Sequence, residues 1–394
     1  MTSRFDAIVL GAGGMGSAAA YYLAASGQQV LLLEQFELNH QKGSSYGESR
    51  VIRYSYDCPI YVELMRAAYP LWFALQEKAE EKLYIKTGGL DFGYPHEPTF
   101  QTLKSSMDKA KLKYEYLSKL EVSQRFPQFC LDDGMAAIFQ EDTGLLKPSK
   151  CVLAHIRLAR QHGTVVRDRT PVIQIDPQAD SVQVITATET FTAERLIVTA
   201  GSWTKSLLAP LGIDLPLRIM PCQLGFYQPS DKVAFAPDRF PVFFAHLNGE
   251  YGEMPYGIPH EDESIGVKVT TFYGWDTVEH PSEVDYTPSN EWVEKMRDFS
   301  RQYIPGTAGE IIYTRRCLYT MTEDKHFIVD RHPVYPQIAI GAGFSGHGFK
   351  FTTLIGKILA QLVLEGETEH NLSLFRLDRF RNKDDVHSVM KTKS

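Results

Sequence analysis

The sequence predicts a two-domain protein in which a doubly wound α/β domain is interleaved with an α+β domain built on antiparallel strands. Three observations predict it. The first forty residues read strand, glycine turn, helix, strand; the stretch from Leu217 to about Arg316 breaks into short strands rich in prolines and aromatics; the last third returns to a strand, turn and helix. At 394 residues the chain is long for one core, and domains of roughly 150 residues lead to an expectation of two or three. The expected division assigns residues 1–82, 150–216 and 323–394 to the α/β domain, and 83–149 and 217–322 to the other.

The opening element is "FDAIVL", a strand-length apolar run that leads directly into "GAGGMG", with Gly11, Gly13 and Gly16 in the three places of GxGxxG. A small-residue helix follows, capped at Gly27, and then a second strand, "QVLLLE", ending in Glu34. Glu34 stands 18 residues beyond Gly16, close to the ~20 expected of an acid that accepts from a ribose hydroxyl. Glycines let backbone approach a pyrophosphate, and the helix start offers free N–H groups and a positive dipole end. The unit predicts dinucleotide binding through Gly11, Gly13, Gly14, Met15, Gly16 and Glu34, without separating FAD from NAD.

Composition narrows the class. With 43% hydrophobic and 23% charged residues, a formal charge of -7 and a pI near 6.0, the chain lacks the basic surface a general nucleic-acid binder needs. Its five cysteines contain no CxxC pair, so neither a disulfide framework nor a metal site is expected, and a reducing cytoplasm is the natural compartment. Residues 7–33 carry no charge, but their glycines and the preceding Asp6 make a poor membrane helix, and "KTKS" is not the peroxisomal tripeptide.

Later segments carry the remaining candidates. "HQKGSSYGESRVIRYSY" is a loop after the second strand that can return over the same cofactor through Ser44, Ser45 and Arg50, or stand as a solvated loop with surface arginines. "YVELMRAAYPLWFALQEKA" has helical apolar spacing, and "EDTGLLKPSK" reads as a turn-rich domain junction. In "AERLIVTAGSWTKSLL" a buried strand meets Ala200, Gly201 and Trp203 where ligands collect in doubly wound sheets. "GVKVTTF" alternates, with Lys268 between two valines, which an exposed strand face would accommodate. "GAGFSGHGFKF" is a second glycine loop that aims a helix start, near Gly346 to Phe349, at an electron-rich group; the following "TTLIGKILAQLVLEG" reads as amphipathic. The charged segment after Phe380 reads as a tail. In "TRRCLYT", cationic neighbours favour a thiolate at Cys317, which leaves nucleophile, metal ligand and covalent attachment point all open.

The glycine fingerprint, the arginine-bearing second loop, "RRCLYT" and "GAGFSGHGFKF", in that order along one chain, resemble the monomeric sarcosine oxidase family, which includes N-methyltryptophan and pipecolate oxidases. The similarity runs from about Phe5 to about Phe380. It implies a Rossmann-like FAD-binding domain interleaved with an antiparallel-sheet substrate domain, a glucose-methanol/D-amino-acid-oxidase-like two-domain flavoprotein. It further implies FAD bonded covalently through Cys317, with Arg315 and Arg316 favouring the thiolate.

By the same resemblance, Arg53 and Lys350 would clamp a substrate carboxylate, and Lys268 would supply a fixed positive charge for electron transfer to O2. Tyr319 and Tyr256 would line the substrate cavity. The second loop, with Gly343, Phe344, Gly346, His347, Gly348 and Lys350, would meet the flavin and stabilise negative charge on its ring. The implied reaction takes a secondary or cyclic α-amino acid to the imine, with O2 reduced to H2O2, in a cytoplasmic monomer that binds neither nucleic acid nor membrane. Two positions depart from the family pattern: Phe272 stands where sarcosine and N-methyltryptophan oxidases carry a histidine, and Tyr46 replaces the usual histidine before the loop glycine. A bulkier or cyclic imino acid is therefore as well suited as sarcosine. A deglycating fructosyl amino acid oxidase, a dehydrogenase with another acceptor and a non-catalytic flavin-binding protein fit the same motifs.

Overall fold

The inner half of the strand Ser3–Leu10, from Ala7 to Leu10, and the strand Val30–Leu33 are continuous apolar runs because both of their faces are covered. Their side chains divide with period two: Ala7, Val9, Val30 and Leu32 join a core with the helices, while Ile8, Leu10, Leu31 and Leu33 join a second core on the other side of the sheet. The structure is a computed structural model that describes residues 3–247, 249–261 and 266–380, so the charged tail read after Phe380 lies outside the described residues.

The parallel part of this sheet runs Val165–Arg167, Val30–Leu33, Ser3–Leu10, Thr190–Val198, Ile338–Ala342. Thr190–Val198 forks the sheet. Its first half pairs antiparallel with Val182–Thr186, and its second half pairs parallel with Ile338–Ala342. The glycine-loop helix Gly14–Ala25 lies between the helices Pro148–Gln161 and Thr352–Leu364. A Cβ on Gly356 would come 2.4 Å from Ala18 Cβ, so this glycine permits the helix contact.

Two sequence expectations change here. Helix Thr352–Leu364 is not amphipathic: ten of its thirteen residues are buried, because neighbouring helices and the sheet enclose it. It also starts later than Gly346–Phe349, after a 3₁₀ turn at Phe349–Phe351. A third difference concerns the expected junction around residues 141–150, where Gly144–Leu146 is the central strand of a small sheet between Arg50–Ile52 and Tyr84–Lys86.

The second large sheet is ordered Ile311–Met321, Arg218–Tyr227, Val267–Tyr273, Glu253–Ile258, Val242–His246, Gly89–Gly93, Ala136–Gln140, Glu115–Ser118. Every pairing is antiparallel except that of Val242–His246 with Gly89–Gly93. One face packs Leu90, Phe92, Phe243, Ala245, Val267 and Val269 against Trp292, Met296 and Phe299 of the helix Asn290–Tyr303. Since side chains alternate, the residues between them share the other face. The small sheet packs there, through Ile85 and Leu145 against Val242, Phe244 and Tyr256.

Candidate active site

A cleft of about 380 Å³ opens at the carboxyl ends of the parallel strands and is lined by Gly11, Gly13, Gly14 and Met15 from the first loop and by Glu34 from the second strand. Gly11 has φ +92°, and a Cβ there would lie 2.5 Å from Thr199 O. Gly16 does not line the cleft; a Cβ on it would lie 1.8 Å from Gly11 O, so its role is the close approach of helix to strand. Glu34 is buried and held in place by backbone: Oε2 accepts from Ala12 N–H at 2.9 Å and Oε1 from Phe36 N–H at 3.0 Å. These features fit a dinucleotide. The exposed Ile173 and the half-buried Trp203, together with Ala200 and Gly201, line the cleft as well.

The loop after the second strand returns over this cleft. Ser45 Oγ accepts from Gly14 N–H at 2.9 Å, and Ser44 Oγ donates to Leu318 O on the second sheet. Arg50 donates to the carbonyls of Ser44 and Tyr46 at 2.9 Å each and of Ser49 at 2.8 Å, which fixes the loop. The reading of a solvated loop with surface arginines is thereby corrected: Arg50 is half-buried and Arg53 buried, because both are enclosed between the loop and the sheets.

The site-bearing face of the second sheet places the chemistry in one row. Register puts Tyr319 opposite Met220, Cys317 opposite Cys222, and Arg315 and Thr270 each opposite Leu224; Tyr256 then stands opposite Thr270 and Phe244, and Asp91 opposite Phe244. Lys268 and Phe272 share the parity of Thr270. Tyr319 lines the cleft, so this row meets the cofactor-binding loops at its inner end.

Alternation separates the two arginines before Cys317. Arg315 shares the thiol's face, donates from Nη2 to Tyr46 O at 3.0 Å and has its Cζ 4.8 Å above the Tyr46 ring. Arg316 points to the other face, where Nη1 donates to Asp285 O at 3.0 Å, so only Arg315 is placed beside the sulfur. Lys268 is 3% exposed rather than on an open strand face. Burial, with Arg50 and Arg315 nearby, pushes its ammonium down from 10.5 to about 7. Arg315 is likewise lowered by burial and by Arg50. Arg50, Arg315 and Lys268 thus make an electropositive niche around Cys317.

A second buried cationic pair lies farther along. Arg53 Nη1 donates to Asp91 Oδ1 at 3.2 Å, and its Cζ stands 3.7 Å above the Phe244 ring. Lys350 Nζ donates to Tyr56 OH at 2.9 Å and His347 O at 3.0 Å, and burial with Arg53 nearby holds its ammonium well below the usual range. His347 is pushed down to about 3 by burial and then by Lys350, which makes it a neutral imidazole. Lys350 and His347 are not on the cleft; they stand with Arg53 around Tyr56, whose ring lies 5.6 Å from Arg53 Cζ and 5.3 Å from Lys350 Nζ. Gly343, Phe344, Gly346 and Gly348 of the same loop do line the cleft. Gly346, at φ +78°, lets Tyr319 approach, since a Cβ would lie 2.5 Å from its ring.

Sequence reasoning missed Tyr56, Phe244, Asp91 and His246. Asp91 had a signal, a lone carboxylate in the otherwise apolar strand "GLDFG". Phe244 lay hidden in an apolar run, and an aromatic wall of Phe244, Tyr256 and Phe272 forms only when three strands pair.

Comparison with known proteins agrees with this geometry. The family described as FAD dependent oxidoreductase matches residues 6–362. The chain is 37% identical to monomeric sarcosine oxidase of Bacillus sp. (strain B-0618), covering 99% of this chain and 100% of that protein. It is 30% identical to N-methyl-L-tryptophan oxidase of Yersinia pestis (strain Pestoides F), covering 96% of this chain and all of that one. Among solved structures, the open form of NikD, an unusual amino acid oxidase essential for nikkomycin biosynthesis, superposes with a TM-score of 0.85 at 26% identity, over 95% of this chain and 98% of that one. With the glycine cradle, the held Glu34 and a match along nearly its whole length, the chain belongs to the FAD dependent oxidoreductase family.

Proposed function

We propose that this protein is a flavoprotein amine oxidase that converts secondary or cyclic α-amino acids to imines and reduces O2 to H2O2, with FAD tethered through Cys317. The observation that carries the reading is the single sheet face on which Cys317, Tyr319, Lys268, Tyr256 and Asp91 stand in register beside the glycine cradle. Bound FAD would supply the two-electron acceptor for the C–H bond beside the amine nitrogen.

The chain's own residues divide the remaining work. Arg53 offers a planar fork and Lys350 a point charge to the substrate carboxylate, which orients the amino acid. Phe244, Tyr256 and Phe272 form an apolar wall suited to a ring or an alkyl side chain. Lys268 places a positive charge where O2 gains electrons, and Arg315 sets a cation beside the Cys317 sulfur at the point of tethering. Residues 1–82, 150–216 and 323–394 would form the cofactor-binding domain, and residues 83–149 and 217–322 the substrate domain, with Cys317 of the latter as the tether and Arg53 and Lys350 of the former reaching the substrate. The same reading gives a cytoplasmic monomer; no helix among the described residues is long and apolar enough to cross a membrane.

An aerobic screen for peroxide tests this, using sarcosine, other N-methyl amino acids, proline, both enantiomers of pipecolate and a fructosyl amino acid. The expected result is peroxide from a cyclic imino acid at a higher kcat/KM than from sarcosine. Turnover confined to the fructosyl compound would replace this reading with deglycation, and turnover only with artificial acceptors would replace the oxidase with a dehydrogenase.

A further inference from the structure

We infer that Asp91 and His246 are positioning residues that set the carboxylate clamp by fixing the guanidinium of Arg53, an inference that rests on the clamp reading of Arg53 given above. Asp91 Oδ1 takes Arg53 Nη1 at 3.2 Å and lies 3.0 Å from His246 Nε2, which donates to it in the Nε2–H tautomer. All three side chains are buried, and they come from separate segments of the chain. Phe244, directly opposite Asp91 in register, lies under the guanidinium and fixes its plane, while Asp91 fixes its rotation within that plane.

The edge that Asp91 takes decides the function. A guanidinium binds a carboxylate side-on through Nε and Nη2, with two parallel bonds. Asp91 occupies Nη1 and leaves that edge, and Arg53 Nε is buried with no hydrogen-bond partner among the described residues. A buried N–H on a cation is costly to leave unpaired, so the open edge points to an anionic acceptor brought by the ligand. Had Asp91 taken the Nε edge, Arg53 would be a closed structural ion pair. His246 holds the same Oδ1 that takes Arg53, with the Phe100 ring packed edge-on against its imidazole at 5.7 Å.

The test uses flavin-loaded enzyme and two probes of nearly equal shape, propionate and propionamide, titrated by the change in flavin absorbance. Asp91→Asn, which keeps shape and one acceptor, is expected to weaken propionate by about tenfold and leave propionamide unchanged. With any substrate found in the peroxide screen, its KM rises while kcat stays near that of the wild type. Asp91→Glu is expected to restore part of the propionate affinity. His246→Gln, which keeps a donor, serves if Asp91→Asn does not fold, and is expected to weaken propionate alone by a smaller factor. Equal loss for both probes, or no loss for propionate, overturns the inference. Wild-type enzyme that fails to bind propionate overturns the clamp reading itself, and the inference with it.

Discussion

Cys222 lies directly across from Cys317 on the neighbouring antiparallel strand, and both thiols are buried on the sheet face that carries Lys268 and Tyr319. Burial pushes the Cys222 thiol well above its ordinary range, so it is a poor nucleophile despite the shared niche. Acid precipitation should therefore leave flavin with the wild-type and Cys222→Ser proteins and release it from Cys317→Ser. A flavin-sized mass increment on the peptide holding Cys222 would contradict this assignment. The two arginines should separate as well: Arg315→Met slows tethering, and Arg316→Met does not.

Lys268 should govern the oxygen half of the reaction. Lys268→Met is expected to slow reoxidation by roughly 10²–10³-fold, with flavin reduction by substrate much less affected, as stopped-flow traces of the two half-reactions would show. Because the ammonium titrates near 7, the oxygen step in the wild type should weaken as pH rises through that value. Stability moves the other way. Between pH about 7 and 10.5 the unfolded chain holds a proton that the folded lysine has lost, so this residue makes stability rise with pH there. Thermal melts of Lys268→Met should lack that component of the slope.

The glycine cradle gives a graded prediction. Gly16→Ala would drive a Cβ to 1.8 Å from Gly11 O, a backbone atom with no room to yield, and should cost at least the ~1–3 kcal/mol of an overpacked core, with loss of flavin. Gly13→Ala meets only the movable Ser45 hydroxyl, at 3.1 Å, and should retain more colour. Flavin content per chain, together with melting temperature, checks both. Equal flavin retention in the two variants would remove the packing argument.

Phe272 should act on substrate choice rather than on rate in general. It packs against Tyr256 and Tyr273, with ring centroids 5.7 and 4.6 Å away. Phe272→His puts a polar ring into this wall and is expected to lower kcat/KM for a cyclic imino acid relative to sarcosine by about tenfold, the scale of ~1–3 kcal/mol for a changed apolar contact. A kcat/KM ratio unchanged by the substitution would place the substrate ring elsewhere.

Legibility in the sequence followed locality. The unit from Gly11 to Glu34 could be read because its residues are close in sequence and each glycine answers a steric demand nearby, such as the approach of Gly16 to Gly11 O. The alternation around Lys268 left an open strand face possible, because alternation reveals that two faces differ, not that both are covered. The joining of Arg53, Asp91 and His246 spans 155 residues between the last two, and no local pattern announces a partner at that range. Helix Thr352–Leu364 read as amphipathic because Thr352, Thr353 and Gly356 look polar or neutral, yet these small residues are where other elements press closest.

The most direct test of the central claim is to mix the purified yellow protein anaerobically with the best substrate from the peroxide screen, follow the flavin absorbance, and then admit oxygen. The expected result is bleaching at a rate that saturates with substrate, followed by return of colour with one equivalent of H2O2. Flavin that no secondary or cyclic amino acid bleaches, or that recovers its colour without peroxide, would contradict it.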